Sequence, residues 1–260
     1  MANQFEYSRQ ERKKRPRRGF SRFTLKVIAG IFMALNVCSL TVFQVIFGAP
    51  SAENVVSLNV CAISNIVSWI AVPIYAWLLY TGYQHTRNAW LYGLRIFLLA
   101  VICEIPYNYI ASDGNPFWFA SQNPVWGLLI ALIVMSMLDW LRLFSRSIQI
   151  PISILIVMFG GLWEFFLRVG VMSEELNLNL GILTLIFVLI FYYLDGRENT
   201  MMLSAGLIGA TFFVTPAIGV ALLHYRNGKE GMKHKWTKWV FYLLYPALLG
   251  IGCLASGTSM

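Results

Sequence analysis

Residues with the chemistry to form a site are sparse in this chain. The densest group lies in YTGYQHTRNAWLYGLRIFLLAVICEIPYN, residues 80–108. His85, beside Thr86 and Arg87 at its polar edge, suits acid–base work or a phosphate contact. The competing reading is a solvated loop histidine. Arg95 and Glu104 stand inside the apolar run. Nine residues at 100° each place them on opposite faces of one helix, about 13 Å apart along its axis, so they should not pair. Arg95 is near enough to one end to snorkel toward the interface. Glu104 needs a partner from another helix, a water-filled cavity or a raised pKa, and it reads equally as a functional site or as interhelical glue. Pro106 withholds an N–H from the helix ladder, which predicts a broken helix end beside the carboxyl.

Other polar groups have narrower readings. Glu164 and Arg168 are spaced i, i+4 and predict a structural ion pair. Asp139 and Arg142 belong at an interface. Gln122 and Asn123 precede an apolar run and suit helix capping. YRNGKEG (225–231) carries Asn227, Gly228 and Lys229 and reads as an Asn-Gly turn with a topogenic charge. It lacks the glycine spacing and the Lys-Ser/Thr pair of a Walker loop. Cys38, Cys61, Cys103 and Cys253 have neither metal-ligand nor redox spacing, so no metal site is expected.

These groups must be positioned by membrane helices. Of 260 residues, 58% are hydrophobic and 12% charged, about half the charged share of a soluble domain. Apolar runs fall at about 24–47, 59–81, 90–111, 124–144, 148–170, 178–194, 201–223 and 238–256. Their lengths suit helices crossing a bilayer, not the roughly ten-residue alternating strands of a barrel. The expected fold is an all-α polytopic bundle of eight to nine membrane segments. The first run is too long for a signal-peptide core of about 7–15 residues and reads as a retained anchor.

Most of the net charge of +8 sits in residues 1–22, where eight Arg and Lys face two Glu. The positive-inside rule makes this tail cytoplasmic, and its charges suit anionic lipids. No stacking aromatics or folded module accompany it, so no nucleic-acid partner is expected. With the tail inside, basic residues in successive loops alternate as the rule requires until 224–238. Eight full crossings would put Arg226, Lys229, Lys233, Lys235 and Lys238 outside, against the rule. The repair is in 199–224, where Pro216 and nearby glycines predict two short helices that enter and leave on one side.

Several blocks in order resemble the TraX family of membrane proteins. They are LKVIAGIFMALN, AVPIYAWLLYTGYQHTRN, YGLRIFLLAVICEIPYN, SQNPVWGLLIAL, NLGILTL, LLHYRNGKEG and FYLLYP, spanning about Leu25 to Leu249. The family is named for N-acetylation of conjugative pilin and looks related to integral-membrane acyltransferases. The resemblance implies a single domain over 23–260, in the inner membrane of a prokaryote with a cytoplasmic N-terminus. It also implies acetyl or acyl transfer from coenzyme A to a membrane-associated acceptor. His85 and Glu104 are then the catalytic candidates, and Arg87, Arg95, Gln122, Asn227 and Lys229 the substrate- or coenzyme-binding ones.

The chain departs from the family where an Asp-His pair commonly follows the first block: it has Asn36 and Val37. Valine takes no proton, and asparagine cannot stabilise an imidazolium as a carboxylate does. A histidine usual after FYLLYP is also missing. The favoured expectation is a catalytically degenerate accessory or binding subunit of a membrane complex, with no bound cofactor. An active acyltransferase using acetyl-CoA and a small-molecule transporter remain the alternatives. The transporter would need two broken helices meeting at mid-membrane, and only 201–223 shows the sequence signs of a break.

Overall fold

The computed structural model describes residues 19–112, 114–118, 120–170, 179–232, 234, 236 and 237–257, the side chain of Lys238 excepted. Most of the basic tail, Asp113, Glu174, Glu175, Lys233 and Lys235 lie outside them. The described chain is all-helical: α1 (Arg22–Leu40), α2 (Val42–Phe47), α3 (Val55–Ser68), α4 (Ala71–His85), α5 (Ala89–Ala111), α6 (Pro124–Leu141), α7 (Arg146–Phe166), α8 (Leu180–Tyr193), α9 (Glu198–Thr211), α10 (Thr215–His224) and α11 (Thr237–Gly257). Six helical units, 22–47, 55–85, 89–111, 124–141, 146–166 and 239–257, are long and apolar enough to cross a membrane, while α8 and α10 are apolar but shorter.

Short polar residues start the helices. Ser21, Asn54, Asn88, Asn123 and Asn179 each accept a backbone N–H from the first turn of α1, α3, α5, α6 and α8. Each cap satisfies an N–H group that the helix ladder leaves open. Helix α6 is the most buried of the six spanning units, packed by α5, α7 and α8, and α4 lies against α1, α8 and α10. Helix α7 turns Ile154, Phe159, Leu162, Trp163, Phe165 and Phe166 outward, an apolar face suited to lipid.

The segment 201–223 does divide. Helices α9 and α10 fold back on each other, with the break at Phe212–Val214. Pro216 opens the second helix instead of marking the break. Phe213 and Val214 have φ of 55° and 64°, a left-handed conformation costing about 1–3 kcal/mol per residue. Tertiary contact holds it: Phe213 meets Trp69 edge to face with ring centroids 5.6 Å apart, and the Thr215 hydroxyl donates to the Ile66 carbonyl at 2.7 Å. At 1.5 Å per residue, α9 and α10 reach about 15–21 Å, roughly half to two-thirds of a 30 Å hydrocarbon core.

The run expected as one span at 59–81 also breaks, at Trp69–Ile70 between α3 and α4. This corrects the reading of 201–223 as the sole interruption. The two breaks meet. An added Cβ on Gly219 would stand 2.3 Å from the Ile70 carbonyl oxygen, so only glycine lets α10 lie there. The helix end predicted at Pro106, by contrast, does not form. Helix α5 runs through it to Ala111, losing one ladder bond without stopping, with the Cys253 thiol 3.3 Å from the Pro106 carbonyl oxygen.

The conflict over the basic loop resolves geometrically. Phe20 N–H donates to the Tyr225 carbonyl at 2.9 Å, Arg22 N–H to that of Lys229 at 2.8 Å, and Asn227 Nδ2 to that of Gly19 at 2.8 Å. Arg226 pairs with Glu198 at 3.6 Å. The start of α1, both ends of the α9–α10 hairpin and the basic loop therefore share one end of the bundle, called the basic rim below.

Candidate functional site

The position where the resemblance expects an acid–base pair lies on a cavity inside the bundle. It measures about 140 Å³ and is lined by Met33, Asn36, Ser68, Trp69, Tyr75 and Tyr245 among others. The Asn36 amide, the Ser68 hydroxyl and the Trp69 indole on its wall are hydrogen-bonded to one another or to Asn65. Asn36 Nδ2 donates to Asn65 Oδ1 at 3.1 Å and to Ser68 Oγ at 3.2 Å. Ser68 Oγ donates to the Asn65 carbonyl at 2.6 Å, and Trp69 Nε1 to Asn65 Oδ1 at 3.1 Å. Val37 is buried. Amides and hydroxyls bonded this way hold a neutral or apolar guest. They do not take a proton near pH 7. Asn65, Ser68 and Trp69 were missed from sequence, although Asn65 and Ser68 sit three apart on one face of an otherwise apolar run.

His85 is on the basic rim. Its Nδ1 lies 2.8 Å from the Thr81 carbonyl oxygen and so donates. Its Nε2 then accepts from Arg22 Nη2 at 3.2 Å. Both ring nitrogens are used, and the lone pair a general base needs points at a guanidinium. Asn227 and Lys229 are on the same rim, where Asn227 Oδ1 takes the Lys229 N–H at 2.9 Å. Their visible work is to fasten the loop to the start of α1. Arg87 and Arg95 are exposed.

Glu104 is at the opposite end, at the first turn of α6. Its Oε2 accepts from Asn123 Nδ2, from Trp126 Nε1 at 2.9 Å and, at 3.4 Å, from Asn123 N–H, while Oε1 is buried with no partner. Asn123 also donates to the Ala100 carbonyl at 2.9 Å and caps α6 through Oδ1. Gln122 belongs to this end too, its carbonyl accepting from Gly170 N–H at 2.8 Å. The structure thus separates the two catalytic candidates and splits the coenzyme set, leaving Gln122 on the far side from Asn227 and Lys229. Asn123→Ala should lower stability by about 2–3 kcal/mol, since it strips a cap and deprives a buried carboxylate of its closest donor. Urea or thermal unfolding in detergent measures this, and Asn115→Ala, in an exposed loop, should change little.

The predicted ion pair of Glu164 with Arg168 is not made. Helix α7 ends at Phe166, and Arg168 turns to φ 48°, so the i, i+4 geometry does not extend to it. Glu164 is fully buried, and neither carboxyl oxygen has a partner.

A polar cluster at the basic rim was also not anticipated as such. Asp139 accepts from Tyr83 at 3.1 Å and Tyr192 at 2.9 Å. It pairs with Arg142 at 3.3 Å, and that guanidinium lies 4.6 Å from the Tyr192 ring centroid. The interfacial reading of Asp139 and Arg142 fits this arrangement.

No family model matches the chain, and no solved structure matches it. The chain is similar to the probable fimbrial assembly protein FimC, serogroup H1, of Dichelobacter nodosus, with 23% identity over 262 residues covering 91% of this chain and 96% of that protein. The six apolar helices of spanning length are those of a membrane protein, and the similarity to a fimbrial assembly protein fits a bacterial origin.

Proposed function

We propose that this chain is a TraX-like accessory or binding subunit of the bacterial inner membrane that serves the assembly of surface filaments and no longer transfers acyl groups. The observation that carries the reading is the pairing at Asn36. Where the family resemblance expects a carboxylate and a histidine, an amide is tied to Asn65 and Ser68 and a valine is packed away. His85 offers no replacement while both its ring nitrogens are engaged. The similarity to a fimbrial assembly protein supports the filament context. The concentration of basic residues at one end supports a cytoplasmic N-terminus.

Purified protein incubated with labelled acetyl-CoA and membrane extract should give no acylated product, and it should co-purify with a larger membrane assembly. Turnover above background that is lost in His85→Ala would restore the acyltransferase reading. The meeting of two broken helices within the bundle favours small-molecule passage as a second reading. Substrate-dependent flux in vesicles holding the pure protein would support it over the accessory role.

A further inference from the structure

A second cavity opens at the basic rim. It measures about 380 Å³ and is lined chiefly by Arg22, Phe23, Lys26, Glu230, His234 and Phe241. Two basic side chains from the first turns of α1, Arg22 and Lys26, face one acidic side chain, Glu230. Arg22 Nη2 is spent on His85, but Arg22 Nε is buried with no hydrogen-bond partner. Lys26 Nζ lies 5.5 Å from the centroid of the Phe241 ring, and Phe23 meets that ring edge to face at 5.7 Å. A buried guanidinium N–H without an acceptor beside an ammonium over an aromatic face is the chemistry of an anion site.

Phe241 also lines the inner cavity at Asn36, so one ring is a wall of both spaces. The inner cavity is almost wholly apolar around its amide cluster. Met33, on its wall, is eleven residues along α1 from Arg22, about 16 Å, which is close to the depth of one leaflet of a 30 Å core. A headgroup at the rim and a chain running inward past Phe241 would satisfy both spaces together.

We propose that these two cavities bind a single anionic phospholipid of the leaflet at the basic rim. Its phosphate sits between Arg22 and Lys26, and an acyl chain passes Phe241 toward Asn36. The site is distinct from diffuse attraction of lipid to the basic tail, because it uses folded residues of α1, the 225–232 loop and α11. It does not depend on whether the chain is an accessory subunit or an enzyme.

The test is native mass spectrometry and thermal shift on the full chain, delipidated and then supplied with phosphatidylglycerol, phosphatidylcholine, palmitoyl-CoA or inorganic phosphate. Phosphatidylglycerol should bind one-to-one and raise the melting temperature. Phosphatidylcholine should bind at least tenfold more weakly, and phosphate alone should produce no shift. Arg22→Gln with Lys26→Gln should weaken phosphatidylglycerol by tenfold or more, on a scale of roughly fivefold per cation. Glu230→Gln should strengthen it, which keeps the test decisive if the double variant fails to fold. Equal binding of the two lipids would overturn the proposal, as would an unchanged affinity in the variants. Displacement of phosphatidylglycerol by equimolar palmitoyl-CoA would overturn it in favour of a thioester-donor site.

Discussion

Gly219→Ala is expected to destabilise the protein by about 2–3 kcal/mol, a large effect for one methyl group. The added carbon would stand 2.3 Å from the Ile70 carbonyl oxygen and 2.7 Å from Pro73 Cγ. The first of these atoms is backbone and the second belongs to a stiff ring, so neither can swing aside. Relief requires α10 to move off the α3–α4 break. That movement would pull Thr215 from the Ile66 carbonyl and Phe213 from Trp69, leaving the left-handed pair Phe213–Val214 without the contacts that hold it. Gly206 provides the control. It lies in α9 of the same hairpin, and nothing stands within 4 Å of its added Cβ. Gly206→Ala should therefore be neutral or stabilise by up to about 1 kcal/mol through helix propensity alone. Opposite signs for two identical substitutions in one hairpin, read as midpoints of unfolding in mixed detergent, would show that close packing at the break seats it. Equal effects would mean that α10 does not rest on Ile70.

The bundle itself was legible because its signal is crude and strong: among the described residues each apolar run is helical, although 24–47, 59–81 and 201–223 each divide into two helices. The hairpin was legible for a different reason. Arg226 and Lys229 could obey the charge rule only if 201–223 turned back, and the hydrogen bonds of Phe20 and Arg22 to that loop show that it does. The place of the turn was not legible. Pro216 and the glycines are the local breakers, yet the chain reverses at Phe213–Val214, residues with no intrinsic taste for left-handed backbone, because Trp69 and Ile66 are there to receive them. The same tertiary origin hid the break at Trp69–Ile70, which has no glycine and no proline at the break itself.

The site was read only in fragments. Sequence placed His85 with Asn227 and Lys229 at the rim, and a partner for Glu104 on another helix was one of the readings it left open, the one that Asn123 and Trp126 supply. It could not reveal that Arg22 occupies the His85 lone pair, because that bond joins residues 63 apart. That Asn36 and Val37 stand where the resemblance expects an acid–base pair was visible at once. What surrounds them, the knot of Asn36, Asn65, Ser68 and Trp69, depends on how α1 packs against the α3–α4 break.

Gly181→Ala should cost about 2–3 kcal/mol, and the loss should be coupled to Glu164. A Cβ on Gly181 would come 1.9 Å from Glu164 Oε2 and 2.8 Å from Val169 Cβ, while one on Gly127 would lie 3.4 Å from the same oxygen. The carboxyl thus fills a notch between glycines in the first turns of α6 and α8. It has no donor there, so the contact is one of shape and not of hydrogen bonding. Three outcomes follow from that difference. Glu164→Gln preserves volume and should leave the Gly181→Ala loss in place. Glu164→Ala should remove the nearer clash, so that adding Gly181→Ala to it costs at least about 1 kcal/mol less than in the parent, the Val169 contact accounting for the remainder. Arg168→Gln should be nearly neutral, because Arg168 lies beyond the helix end and does not reach the carboxyl. A salt bridge would reverse the pattern: Arg168→Gln and Glu164→Gln would then each weaken the fold by about 3–5 kcal/mol, as the loss of one member of a buried pair does. The cycle therefore separates a carboxyl held by packing from one held by charge, with no assumption about catalysis.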